Sequence, residues 1–246
     1  MKRFQSLVAF DPVVTTRHPD IAEPMFQEYL SAAETNIFSL SGFVNEEGAI
    51  VARGAMKVLQ RPRKVGIGLC FEGRALDGLE GKLVEKIAAL CKHVGYHGAF
   101  ESEFIVDGDR RLLIDFNPRF YSQMGFDIAR GLSLPLLVWH SAKNETAKVE
   151  EELARARAWR PSGTEVYCHK TMLDFVLGLQ GLSGQMTRAE VRRWRAWHAS
   201  ASKKKTATDA VRDSDDRMPA LIDTAQWVRH FARHPRSFVR SFILNR

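Results

Sequence analysis

Apolar and polar positions alternate with a period of two through FSLSGFVN (38–45) and AIVARGAMKVL (49–59), with Glu46-Glu47-Gly48 between the runs. That alternation predicts two strands joined by a hairpin turn containing glycine. The period then lengthens. In LDGLEGKLVEKIAALCKHVG (76–95), Leu83, Val84, Ile87, Leu90, Cys91 and Val94 recur at helical spacing, and Gly95 stands where a C-terminal cap belongs. Period two returns in AFESEFIV (99–106) and RLLIDFN (111–117), separated by Asp107-Gly108-Asp109-Arg110, a second hairpin signal. Pro135 opens LPLLVWHSAK (134–143), because proline is tolerated in a first helical turn. The pattern as a whole predicts an α+β fold with a mostly antiparallel sheet covered by helices.

Beyond about residue 143 the texture changes. VEEELARARAWR (149–160) is charged, and SGTEVYCHKTML (162–173) has the look of a return to the sheet. The stretch near 199–216, which includes SASKKKTATDAVRDSDD, is polar enough to predict a linker. The last segment (220–246) mixes aromatics with five arginines and predicts a basic amphipathic helix broken near Pro235. The sequence therefore divides into residues 1–142 and a helical, basic extension over 143–246.

Charge sharpens this division. The net charge is +7, yet residues 1–142 carry 16 Lys and Arg against 17 Asp and Glu, while residues 143–246 carry 20 against 12. The first part has no basic excess with which to grip a phosphate backbone, so nucleic acid is not an expected partner. The basic C-terminus is expected to pack back on the rest of the chain, with an anionic membrane surface as the less favoured partner. With 45% hydrophobic residues the chain can bury one good core. Cys70, Cys91 and Cys168 are an odd number without CxxC spacing, which predicts reduced thiols and a cytoplasmic protein. No run of about 18 apolar residues suggests a membrane span.

The chemistry concentrates in LLIDFNPRFYSQ (112–123). Side chains at i and i+2 of a strand share a face, so Asp115 and Asn117 point together, as do Glu101 and Glu103 on the preceding strand. If Glu103 lies opposite Asp115, then Glu101 lies opposite Asn117, and the loop at Asp107 to Arg111 has an odd number of residues. Three carboxylates and an amide would crowd one face. Such a face calls for a cation or a proton, and hard oxygen donors of this kind suit Mg²⁺. On spacing alone, a metal face and a solvated acidic sheet face stand about even. Cys91, His93 and His97 lack a fourth ligand at suitable spacing, and neither Ser41 nor Ser162 sits in a GxSxG elbow.

Glu103-Phe104-Ile105-Val106 followed by LLIDFNPRF resembles the metal-binding hairpin of the ATP-grasp superfamily, whose usual form is an acid or Gln on one strand and E-x-N-P-R on the next. Asp115 replaces the commoner Glu. SQMGFDIARGLSLPLL (122–137) is similar to the loop and helix entry that follow the motif in carboxylate-amine ligases and in the carbamoyl-phosphate synthase and biotin carboxylase relatives. Gln27-Glu28-Tyr29-Leu30 resembles the hinge strand that carries adenine, and Lys57 falls where a basic residue faces the phosphates.

The resemblance implies a C-terminal ATP-grasp subdomain over residues 1–142. It implies that Glu103, Asp115 and Asn117 hold Mg²⁺ or Mn²⁺ on ATP, and that Arg119 neutralises the transferred phosphoryl group or an acyl phosphate. The implied reaction is ATP-dependent activation of a small carboxylate for attack by an amine or another nucleophile. Because the Gln27 segment lies so near the start, the lid and N-terminal domain of such an enzyme would come from a longer chain or a partner polypeptide. The alternative is a non-catalytic remnant or interaction module.

Overall fold

The computed structural model describes Glu28 and residues 30–61, 68–201, 203 and 206–239. The described residues from Ser31 onward form one compact unit. In this unit a short 3₁₀ turn, Ser31–Glu34, precedes strands β1 (Ile37–Val44), β2 (Ile50–Gln60) and β3 (Gly68–Arg74). Helix α1 (Gly78–Val94) follows, then β4 (Gly98–Asp107) and β5 (Arg110–Asn117). Next come helices α2 (Met124–Ala129), α3 (Leu134–Ala142) and α4 (Thr146–Ala158), strand β6 (Val166–Cys168), and helices α5 (Lys170–Leu182) and α6 (Arg188–Ala201). Strand β7 (Ala207–Asp209) and helices α7 (Met218–Arg233) and α8 (Pro235–Phe238) complete the described residues.

The strands form one sheet in the order β5-β4-β1-β2-β3-β6-β7, antiparallel except for β6 with β7. The expected α+β architecture is thus present. Central β1 is buried along its whole length, and its alternation sorts the two layers. Phe38, Leu40 and Val44 face α1, packing with Leu83, Ile87, Cys91, Phe100 and Phe104. Phe43, on the other face, packs with Leu134 and Leu137 of α3 and with Val149 and Leu153 of α4. The apolar stripe of α1 is narrower than its periodicity predicts, since Leu90 and Val94 are exposed.

Two sequence expectations are corrected in the second half. The segment 162–173 does return to the sheet, as β6 paired with β3, so the sheet runs across the boundary drawn at residue 142. The polar stretch near 199–216 contains β7, and Asp209 accepts from the backbone N–H groups of Lys170, Val211 and Arg212. Polarity there serves backbone capping and not a free linker. The basic segment breaks at Pro235 as expected, between α7 and α8. Helix α7 has no buried residue: Trp227 packs on the α5–α6 core, while Met218, Leu221, Ile222, Val228 and Phe231 stay exposed. No helix of the described residues is long and apolar enough to cross a membrane. Cys70, Cys91 and Cys168 are free thiols, all buried.

Backbones approach closely at the middle of β1. A Cβ on Gly42 would stand 2.4 Å from Val51 O and 3.0 Å from both Ala52 Cα and Phe100 Cε1. Phe100 in turn stacks on Phe116 of β5, with rings 6.0 Å apart and 4° from parallel. Gly42→Ala is therefore expected to lower the unfolding free energy by about 2 kcal/mol, since the carbonyl cannot retreat without shifting a central strand. Urea denaturation of the two proteins checks this.

Candidate functional site

The site is built on the polar face of the β1–β4–β5 portion of the sheet. Across the three strands Ser39 stands opposite Glu103 and Glu103 opposite Asp115; beside them Ser41 stands opposite Glu101 and Glu101 opposite Asn117. The two carboxylate pairings expected from the sequence are therefore both present. The means differ, however. The hairpin turn is the even, two-residue Gly108-Asp109, with Asp107 paired to Arg110. From that turn the register runs Val106 to Arg111, Ile105 to Leu112 and Phe104 to Leu113, then jumps to Glu103 opposite Asp115. Ile114 is the extra residue of a β-bulge. Without it Asp115 would lie opposite Ser102, on the opposite face from Glu101 and Glu103, because a one-residue slip exchanges the faces of a strand.

Each carboxylate has a different setting. Glu101 is buried and accepts from Ser39 Oγ at 2.8 Å and from Gln123 Nε2. Burial raises its pKa; the Glu103 charge adds to this, while Ser39, Lys57 and Gln123 oppose it. Glu103 takes an ion pair from Lys57 Nζ, both side chains being largely enclosed. Lys57 lies on β2 and reaches across β1. Asp115 is exposed on edge strand β5 and accepts from Asn117 Nδ2 at 2.8 Å. Arg119 continues the line, donating through Nη2 to Asn117 Oδ1 at 2.9 Å and through Nη1 to Phe120 O at 2.9 Å.

The structure thus brings together Lys57, Glu103, Asp115, Asn117 and Arg119. The expected adenine-carrying strand does not form at its two described positions: Glu28 and Leu30 lie in irregular backbone, and the chain enters the 3₁₀ turn at Ser31. Gln27 and Tyr29 lie outside the described residues. Among the described residues no group of three or more His, Cys, Asp and Glu side chains converges as a metal site. The candidate set is instead two carboxylates with the Asn117 amide, an all-oxygen donor set that fits a hard divalent cation. Part of the positive charge that the face requires is supplied internally, by Lys57.

A second polar layer, unforeseen from the motif, joins this face to α2. Asp127, almost fully buried, accepts from Ser41 Oγ at 2.6 Å, from the Tyr121 hydroxyl and from the Arg130 guanidinium. Arg130 Nη1 donates to Gly54 O at 2.7 Å, and its guanidinium lies 4.0 Å from the Phe126 ring centroid. Burial, together with the Asp127 charge, pushes the Tyr121 hydroxyl well above its ordinary pKa. One signal for this layer was in the sequence: Ser39 and Ser41 repeat at i and i+2 inside an otherwise buried apolar strand, where a hydroxyl needs a partner. Ser39 donates to Glu101 and accepts from Gln123, and Ser41 donates to Asp127.

No family model matches the sequence, and no curated protein matches it. Solved structures do resemble it. The chain is similar over 58% of its length to pyruvate carboxylase of Rhizobium etli, with 16% identity, a TM-score of 0.46 and 13% of that chain covered. It is similar over 58% to biotin carboxylase from Campylobacter jejuni in a β,γ-ATP complex (18% identity, TM-score 0.41, 31% of that chain). Over 48% it is similar to the phosphoribosylaminoimidazole carboxylase ATPase subunit from Aquifex aeolicus (18% identity, TM-score 0.40, 35% of that chain). The chain spans between 13% and 35% of the length of these proteins.

The raised pKa of Glu101 has a pH signature. The folded chain holds the Glu101 proton more tightly than the unfolded chain, so stability falls as pH rises from the ordinary glutamate value through the raised folded value. Glu101→Gln keeps an acceptor for Ser39 and Gln123 but removes the charge. Its unfolding free energy is expected to lack that component of the pH dependence, and to exceed the wild-type value at neutral pH. Denaturant titrations across the acid-to-neutral range measure the difference.

Proposed function

We propose that the β4–β5 face is the divalent-cation and ATP-phosphate site of an ATP-grasp ligase, one that activates a small carboxylate for attack by an amine or another nucleophile. The observation that carries this reading is the bulged register, which puts Glu103, Asp115 and Asn117 on one face with Arg119 adjoining it. The resemblance of LLIDFNPRF to the superfamily's hairpin motif points the same way.

In this reading Glu103 and Asp115 hold Mg²⁺ or Mn²⁺ with the carbonyl oxygen of the Asn117 side chain. A divalent ion held there would supply neutralisation of the charge that develops during phosphoryl transfer. The chain's own groups do the rest. Arg119, exposed and permanently charged, is free to swing its planar fork toward an anionic oxygen while Asn117 orients it. Lys57 pairs with Glu103 and holds its carboxylate in the face, and supplies a second cation beside the phosphates. Ser39 and Gln123 fix Glu101 behind them, so that this buried carboxylate cannot rotate in to compete for the ion. The nucleotide's adenine end, and the lid over its phosphates, are assigned to segments outside the described residues or to a partner polypeptide.

The Lys57–Glu103 pair also favours a second reading, a non-catalytic remnant in which lysine has taken the cation's place. One titration separates them. With Mn²⁺ followed by water-proton relaxation, the ligase reading expects saturable binding that Glu103→Gln and Asp115→Asn each weaken about tenfold. Lys57→Met should unfold more readily, because it strands a largely enclosed carboxylate, and should regain stability as Mn²⁺ is added. Absence of saturable Mn²⁺ binding, or binding indifferent to all three substitutions, favours the remnant.

A further inference from the structure

A cavity of about 750 Å³ opens where the ends of β2 and β3 meet the chain between α4 and β6. Its size is typical of small-molecule sites. None of its lining residues belongs to the β4–β5 hairpin. Five arginines line it: Arg53 and Arg130 in more enclosed positions, Arg74, Arg157 and Arg160 exposed. The one carboxylate in the lining is Glu165. Arg130 is matched by Asp127, and Arg157 lies 3.8 Å from Glu150, yet the lining keeps a clear positive excess. Arg53 lies 4.9 Å from the Trp159 ring centroid, which holds that indole as a flat apolar wall.

Two polar atoms in this lining are buried without a hydrogen-bond partner, Arg130 Nε and Glu165 Oε1. Arg130 is 3% exposed and Glu165 is 8% exposed. An unmet charged donor and an unmet charged acceptor, both in one cavity wall, are expensive and uncommon in folded proteins. The wall is shaped to keep them there. A Cβ on Gly73 would stand 2.4 Å from Glu165 Oε2 and 3.5 Å from Arg130 Nη1, so the bare glycine makes room for the carboxylate beside the guanidinium.

We propose that this cavity binds a small anion that also carries an ammonium group, an aminated phosphate or carboxylate. The exposed arginines take the anionic end, and the Glu165 carboxylate, the one acid in the lining, draws the ammonium end. This site does not depend on the divalent-cation reading, and its test omits ATP and divalent metal.

The test is calorimetric titration of the full chain with O-phosphoethanolamine, with β-alanine and with ethyl phosphate, which has no amine. At least one aminated probe should saturate a single site, and which of the two does so identifies the anion. Ethyl phosphate should bind at least about fivefold more weakly than O-phosphoethanolamine if phosphate is the anion. Arg74→Gln combined with Arg160→Gln should weaken the binding about tenfold while leaving the thermal unfolding midpoint nearly unchanged. Glu165→Gln should erase the preference for the aminated probe; if that variant does not fold, the exposed double variant decides alone. Saturation by neither aminated probe, affinity indifferent to the arginine changes, or, where O-phosphoethanolamine saturates the site, equal affinity for ethyl phosphate would overturn the proposal.

Discussion

A strand has only two faces, and everything at the candidate site depends on which one β5 turns toward β4's carboxylates. The two-residue turn at Gly108-Asp109 sets one parity, which would leave Asp115 and Asn117 on the side covered by α1. The single unpaired residue Ile114 reverses it. Before the bulge Leu113 pairs with Phe104; beyond it Phe116 stacks on Phe100 within the α1 layer while Asp115 and Asn117 join the polar face. Apolar packing on one side thus locks the register that assembles the polar groups on the other. Edge strands tolerate such bulges because only one neighbour has to accommodate them.

The face assembled in this way is already partly neutralised. Lys57 pairs with Glu103, Glu101 is sealed under Ser39 and Gln123, and Arg119 leans on Asn117. The electrostatic discomfort read from three clustered carboxylates is therefore smaller than their spacing suggests, because the clash is distributed among a lysine, two neutral donors and burial. What remains open to solvent is Asp115 at the edge and the rim of Glu103. Those are the oxygens that an incoming cation would meet first.

Much of the fold was legible because period and punctuation agree in the first half of the described chain. The two hairpins, the α1 stripe with Gly95 in the left-handed cap position, and Pro135 in the first turn of α3 all stand where their signals lie. The pairings of Glu101 and Glu103 were also legible, but their cause was not, since nothing in RLLIDFN marks Ile114 as the residue without a partner. Strand β7 escaped for another reason: three residues of ATD in a polar stretch carry no periodicity, and they join the sheet only because β6 offers an edge. The Asp127–Arg130 pair was hidden because an acid and a base at i and i+3 ordinarily mark a solvated helix face, whereas here Ser41, Tyr121 and Gly54 O complete their hydrogen bonds inside the protein.

The central claim is that oxygens from both hairpin strands share one divalent ion. Its most direct measurement is anomalous diffraction at the manganese absorption edge, from crystals of the full chain grown with Mn²⁺ and a non-hydrolysable ATP analogue. The account predicts a peak between the carboxylates of Glu103 and Asp115. A map with no peak there, or with manganese bound only elsewhere on the surface, would contradict it.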